Sequence, residues 1–132
     1  MDPVEFRRRL HAHPELSFRE DGTAAFIAEQ LAELGIEHRT IARTGILARI
    51  TGRRTTPGDR RAVVLRAGID ALPIAERTGL AYSSRNAGVM HACGHDVHAA
   101  VLFGVLQRLA ADPDFGGTLL GLFQPGEECN PG

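Results

Sequence analysis

Met90-His91-Ala92-Cys93-Gly94-His95-Asp96-Val97-His98 runs directly into an apolar stretch, Ala99 to Leu109. That stretch has the length and spacing of a helix, so Cys93 and His95 fall on the turn that opens it. Apolar runs suited to strands flank this unit, Ala62-Val63-Val64-Leu65 before it and Thr118 to Phe123 after it. This order predicts an α/β protein, a mixed β-sheet with helices on its faces. The nine opening residues also hold three imidazoles, one thiol and one carboxylate. Gly94 removes side-chain bulk between Cys93 and His95, so both can turn toward one point. A helix N-terminus favours negative charge, and a thiol there ionises more easily beside a metal or a cation.

Upstream, Asp2-Pro3-Val4-Glu5 reads as a helix start, with Asp2 as cap, Pro3 at the first helical position and Glu5 completing a capping box. Pro14 ends that helix near His13. Ser17 to Glu20 offers a second cap signal, and Ile27, Leu31 and Leu34 then share one helical face up to Gly35. Ile36 to Ile41 and Gly45 to Ile50 read as two short strands. Thr51 to Arg60, with Pro57-Gly58, reads as an exposed hairpin turn. Ala62 to Leu65 is a continuous apolar run, suited to a strand buried on both faces. Asp70 leaves that strand, and Glu76 to Val89 is loop-like. The helix after Asp96 carries Val97, Val101, Val105 and Leu109 on one side, and Asp112-Pro113 stops it. Gln124-Pro125-Gly126-Glu127-Glu128 leaves the last strand.

The chain has 132 residues, 43% hydrophobic and 23% charged, with a net charge of −1. That is enough for one domain with a real core. Near-neutral charge gives no general attraction to nucleic acid or to an acidic membrane surface. No apolar run approaches a membrane span, and Met-Asp-Pro-Val-Glu-Phe-Arg-Arg-Arg lacks the apolar core of a signal peptide. Two cysteines make no disulfide framework, so a cytoplasmic protein with reduced thiols is the expectation.

In open α/β sheets, ligands bind beyond the carboxyl ends of the strands. Asp70 and Glu127-Glu128 follow predicted strands, and Cys93 and His95 open a helix, so these clusters are expected at one rim. Cys93, His95 and Glu128 are a thiolate, an imidazole and a carboxylate, all ligands for zinc and borderline transition metals. Glu127, pointing elsewhere, suits a general base acting on water activated by the metal. Asp70 suits a carboxylate that fixes the tautomer of a ligating histidine. The competing readings are a free buried cysteine beside surface histidines, a solvated acidic turn and a turn-capping aspartate. His91 is expected to pack under the loop, His98 to lie one turn into the helix, and His11 and His13 to be structural or exposed. His38 reads as a surface strand residue, and Cys129 as a weak ligand candidate.

These residues resemble the metal-dependent amidohydrolases that include aminoacylases, hippurate hydrolases and auxin-conjugate hydrolases. His11-Ala12-His13-Pro14-Glu15-Leu16-Ser17-Phe18 resembles the family's opening motif. Leu65 to Ile74 resembles its strand-end aspartate motif, Gly88 to Asp96 its metal motif, and Phe123 to Glu128 its acidic pair. Motifs in the same order over nearly the whole chain make the resemblance specific. It implies a zinc-exopeptidase-like catalytic domain in which Cys93, His95 and Glu128 bind metal. Glu127 would be the base and Asp70 the supporting carboxylate. The implied cofactor is Mn2+ or Zn2+, two ions in the complete enzyme. The implied reaction is hydrolysis of an N-acyl amino acid or a peptide-like substrate.

The sequence departs from that family in two respects. Gly68 stands where relatives commonly carry an acid. Family members are also longer, with two further histidine ligands and an inserted domain for dimerisation and closure. Residues 1–132 are therefore expected to be the N-terminal part of a catalytic domain, inactive alone, and prone to homo-oligomerise through exposed apolar surface. The alternative is a non-catalytic module keeping the fold and at most a weak metal site. A thiol redox role for Cys93 is a weaker reading, because Cys129 is distant in sequence.

Overall fold

Asp2 opens the first helix as its sequence predicts: Oδ1 accepts from the N–H of Val4 at 2.7 Å and of Glu5 at 3.0 Å. In the computed structural model, which describes residues 1–129, α1 (Pro3–Ala12) ends at His13, immediately before Pro14. Next come α2 (Asp21–Glu33), β1 (Glu37–Ile41), β2 (Gly45–Thr51), β3 (Ala62–Gly68), α3 (His95–Ala111) and β4 (Thr118–Gln124). The four strands form one mixed sheet in the order β1-β2-β4-β3. β1 and β4 both pair antiparallel with β2, and β3 pairs parallel with β4. The parallel pair is joined by α3, the crossover that such pairing requires.

The core lies on one face of this sheet. Ile46, Ala48, Leu119 and Phe123 meet Phe6, Ile27, Leu31, Phe103 and Leu106 from the helices. Phe6 stacks on Phe103 with ring centroids 4.2 Å apart. Between them the strand residues alternate in burial, as a sheet covered on one side requires. Leu47, Leu120 and Leu122 fall on the other side and are half-buried.

Three expectations need correction. Thr51 to Arg60 is not a hairpin turn, because β2 and β3 both pair with β4 and not with each other. β3 is not buried on both faces: it is an edge strand, and Val63 and Val64 are 60% and 56% exposed. Val97, Val101, Val105 and Leu109 share one side of α3 as read, and a different side of the helix meets the core. Val97 and Val101 are exposed, while Ala99, Leu102, Phe103 and Leu106 are buried. The two stripes sit on different sides of one helix, and the aromatic and leucine side bears the larger apolar area. Finally, Glu20 precedes α2 without capping it through its side chain. No helix among the described residues is long and apolar enough to cross a membrane.

Candidate metal centre

Because β3 and β4 run parallel, both end at the same rim, where Gly68 and Gln124 are register partners. Asp70 follows the first strand and Glu127-Glu128 the second, and α3 returns to this rim to open with His95. Gly94 caps α3 at φ 105°, a left-handed conformation that glycine adopts without penalty. Gly68 matters for a different reason. A Cβ there would lie 2.7–2.8 Å from the His95 ring atoms, so with glycine at 68 the imidazole sits directly against the strand end.

Asp70 joins the motifs that surround it. Its Oδ2 accepts from the Ser17 hydroxyl at 2.7 Å and from the Glu128 N–H at 2.8 Å. His95 Nδ1 lies 2.9 Å from the Asp70 carbonyl oxygen and 3.0 Å from Oδ1. Burial pushes the Asp70 carboxyl up, but the contacts with His95, the Glu128 N–H and Ser17 together hold it well below the usual range. The buried Glu20 does similar work one step away, accepting from the Gly126 N–H at 2.8 Å and the Thr44 hydroxyl at 2.8 Å. Two buried carboxylates thus fix the turn that carries the acidic pair.

Cys93, His95 and Glu128 each offer a ligand atom, and these atoms lie within 4.8 Å of one another. Bonds to zinc of about 2.0–2.3 Å give a coordination sphere on this scale. His95 Nε2 is 3.8 Å from Glu128 Oε1 and 3.4 Å from Glu127 Oε2. Glu128 Oε1 is buried without a hydrogen-bond partner among the described residues. The neighbouring Glu128 carboxylate, burial, and the charges of Glu128, Glu127 and Asp70 push the Cys93 thiol up. His95 is also raised, first by its contact with Asp70. The protein alone therefore gathers more negative charge than it can neutralise. A dication reverses both effects, favouring thiolate and neutral imidazole, so the donor set fits a metal ion.

Behind the cluster lies a second buried network that the sequence reading missed. His11, read as structural or exposed, is buried between two carboxylates. Its Nδ1 is 2.8 Å from Asp96 Oδ2 and its Nε2 is 3.1 Å from Glu76 Oε1. Asp96 also accepts from Arg7 Nε at 2.7 Å, and Arg7 Nη1 donates to the Tyr82 hydroxyl at 3.1 Å. Glu76 accepts from the Thr78 hydroxyl and from the Ser84 N–H at 2.6 Å. The network ties α1 and the 76–84 loop to the first turn of α3. Position in the motifs marked His11 and Asp96; nothing in local sequence marked Glu76. His91 does pack under the loop as expected, and burial pushes it down to about 4. Both its ring nitrogens are buried without a partner among the described residues. His98 lies in the first turn of α3 and is exposed; His38 is half-buried in β1 with Nδ1 2.8 Å from the Ile36 carbonyl oxygen. Cys129 is exposed and stands outside the donor cluster.

A mixed sheet whose rim carries this donor set defines a class of metallohydrolase-like catalytic folds, and sequence comparison assigns it. Residues 64–132 match the model of peptidase family M20/M25/M40, and the chain belongs to that family. It is 48% identical over 131 residues to the N-acetyl-L-cysteine deacetylase of Bacillus subtilis, covering 98% of this chain and 30% of that protein. It is 45% identical over 133 residues to the N-acyl-L-amino acid amidohydrolase of Geobacillus stearothermophilus, covering 99% of this chain and 35% of that protein. The YXEP protein of Bacillus subtilis, described as a dinuclear metal-binding peptidase of the M20 family, superposes with a TM-score of 0.87. That match has 41% identity and covers 96% of this chain and 35% of YXEP. The chain spans about a third of the length of these two curated relatives.

Proposed function

We propose that the chain is the N-terminal, ligand-bearing part of the catalytic domain of a metal-dependent amidohydrolase acting on N-acyl amino acids. The observation that carries this reading is the convergence of Cys93, His95 and Glu128 around a buried, unpartnered carboxylate oxygen. Relatives named for N-acetylcysteine and N-acyl amino acid hydrolysis support the substrate class.

In this reading Cys93, His95 and Glu128 hold a divalent ion, Zn2+ or Mn2+, and the complete enzyme holds two. When bound, the ions polarise the amide carbonyl and lower the pKa of water toward about 7. Glu127 borders the donor cluster and is partly open to solvent, so it can reach an entering water and take its proton. The same group can return that proton to the leaving amine nitrogen. Asp70 acts on His95, fixing which ring nitrogen carries the proton and aiming Nε2 at the cluster. The surrounding burial keeps the carboxylates poorly solvated, which strengthens their pull on a cation.

Cobalt titration of the chain is the direct test. A thiolate charge-transfer band that appears on titration and is lost in Cys93→Ala is expected; a cobalt complex with no such band sinks the ligand assignment. In the full-length protein, Glu127→Gln is expected to keep its metal and lose about 10²–10⁴-fold in rate. Metal loss in that variant would reassign Glu127 as a ligand. Among the described residues there is no second donor group of this kind. The 132 residues alone are therefore expected not to hydrolyse N-acetyl or N-benzoyl amino acids with either metal. Turnover by the pure chain would overturn this.

A further inference from the structure

A half-open cavity of about 310 Å³ lies between the end of α1, the start of α2 and the loop at Arg85. None of its lining residues belongs to the metal centre or to the Glu76–His11–Asp96 network. Its floor is apolar, with Leu10 buried and Phe26 half-buried. Its rim is cationic. Arg9 Nη1 donates to His13 Nε2 at 2.7 Å, and the Arg9 guanidinium carbon lies 5.9 Å from the Phe26 ring centroid. Arg85 lines the same space, and its guanidinium makes no hydrogen bond or ion pair among the described residues. Burial, with Arg9 and then Arg85, pushes His13 down, so the ring is neutral and accepts from Arg9.

The carboxylate that could neutralise this rim is already committed. Glu15 Oε1 accepts from the Gly22 N–H at 3.1 Å and Oε2 from the Thr23 N–H at 2.7 Å, at the start of α2. Two guanidinium groups against one carboxylate leave one positive charge in excess. A second observation is independent of charge. Thr23 lines the cavity and is 4% exposed, and its hydroxyl has no hydrogen-bond partner among the described residues. The walls are held in place. The Arg85 N–H donates to the Ala12 carbonyl at 2.9 Å, and Asn86 Nδ2 donates to the Pro14 carbonyl at 3.1 Å.

We propose that this cavity binds a small organic carboxylate with an apolar body, its carboxylate between Arg9 and Arg85 and its body over Leu10 and Phe26. The pairing suits the planar fork of arginine, which matches a carboxylate better than a point charge does. The site stands apart from the metal reading and does not depend on it.

Benzoate is the probe, followed by NMR on the isotope-labelled full chain at low salt. Saturable shifts are expected in the His13 ring and Arg9 side-chain signals. Binding should weaken at least ten-fold in Arg9→Gln/Arg85→Gln and at least ten-fold for the neutral analogue benzamide. Arg9 and Arg85 are exposed, and unchanged amide dispersion checks that the double variant folds. Benzoate leaving the His13 and Arg9 signals unmoved overturns the proposal. So does benzoate binding undiminished by the double substitution. Inorganic phosphate or benzamide binding as tightly as benzoate overturns the assigned ligand chemistry.

Discussion

The two ends of β3 have opposite characters. At its carboxyl end Gly68, Ile69 and Asp70 are buried, and Asp70 joins Ser17, His95 and the Glu128 N–H. At its amino end Val63 and Val64 are more than half exposed, on a strand paired along one edge only. The rim is polar yet closed, while the edge is apolar yet open. Such a contrast places specificity where polar groups are over-determined and leaves the hydrophobic run without a covering layer. Substitutions at the two ends should therefore differ in kind as well as in size.

The largest effect is expected for Asp70→Ala, which strands the half-buried Ser17 hydroxyl and Glu128 N–H and removes the carboxylate beside His95. Taking one partner from a buried charged cluster costs about 3–5 kcal/mol, read as a lowered urea midpoint at pH 7. A loss under about 1 kcal/mol would mean that water serves these donors equally well. Next comes Gly68→Ala. The added methyl meets the His95 ring at 2.7–2.8 Å, so the imidazole must move. Overpacking of this sort costs about 1–3 kcal/mol. Metal affinity should fall at least ten-fold, measured by competition with a chromophoric chelator. Unchanged affinity would show that His95 is not held where metal binding needs it.

Glu76→Gln tests the network behind the rim. Burial pushes the Glu76 carboxyl up, but the Thr78 hydroxyl, the Ser84 N–H and His11 outweigh it and bring it down to about 2. A carboxyl lowered on folding adds stability above its unfolded pKa of about 4.3, and loses it as pH falls through the folded value. Glu76→Gln should thus cost about 1–3 kcal/mol at pH 7, the scale for hydrogen bonds to a charged group. The gap from the parent should close between about pH 4.5 and pH 2. A pH-independent gap would point to packing in place of charge.

What was legible in the sequence follows the same divide. Cys93, His95, Asp70 and the acidic pair could be read because strand ends and a helix start are local signals, and parallel strands bring their ends to one rim. Gly68 could be noticed, but the reason for it lies in the approach of a ring 27 positions away. Glu20 and Glu76 were unreadable: each is a carboxylate in a polar stretch, and its burial depends on distant partners. Ala62 to Leu65 misled for the converse reason. An apolar run reports what a strand can cover, and neighbours outside the run decide whether it is covered. In α3 the valines share one side as read, but two apolar stripes compete and only one can face a single-sided core.

Val64→Lys gives the smallest expected change in stability and probes the open end directly. Val64 is 56% exposed, so little burial is lost and the folding free energy should move by less than about 0.5 kcal/mol. Self-association is where the substitution should act. An edge strand with exposed valines offers unpaired backbone groups beside an apolar surface, and a charge there discourages pairing with another chain. Light scattering on the chain is expected to show oligomers for the parent and a shift toward monomer for Val64→Lys. A parent that stays monomeric at high concentration would show that the open edge is benign. A loss of about 2 kcal/mol or more in Val64→Lys would show that this end of β3 is packed as tightly as the rim, and the contrast between the two ends would fail.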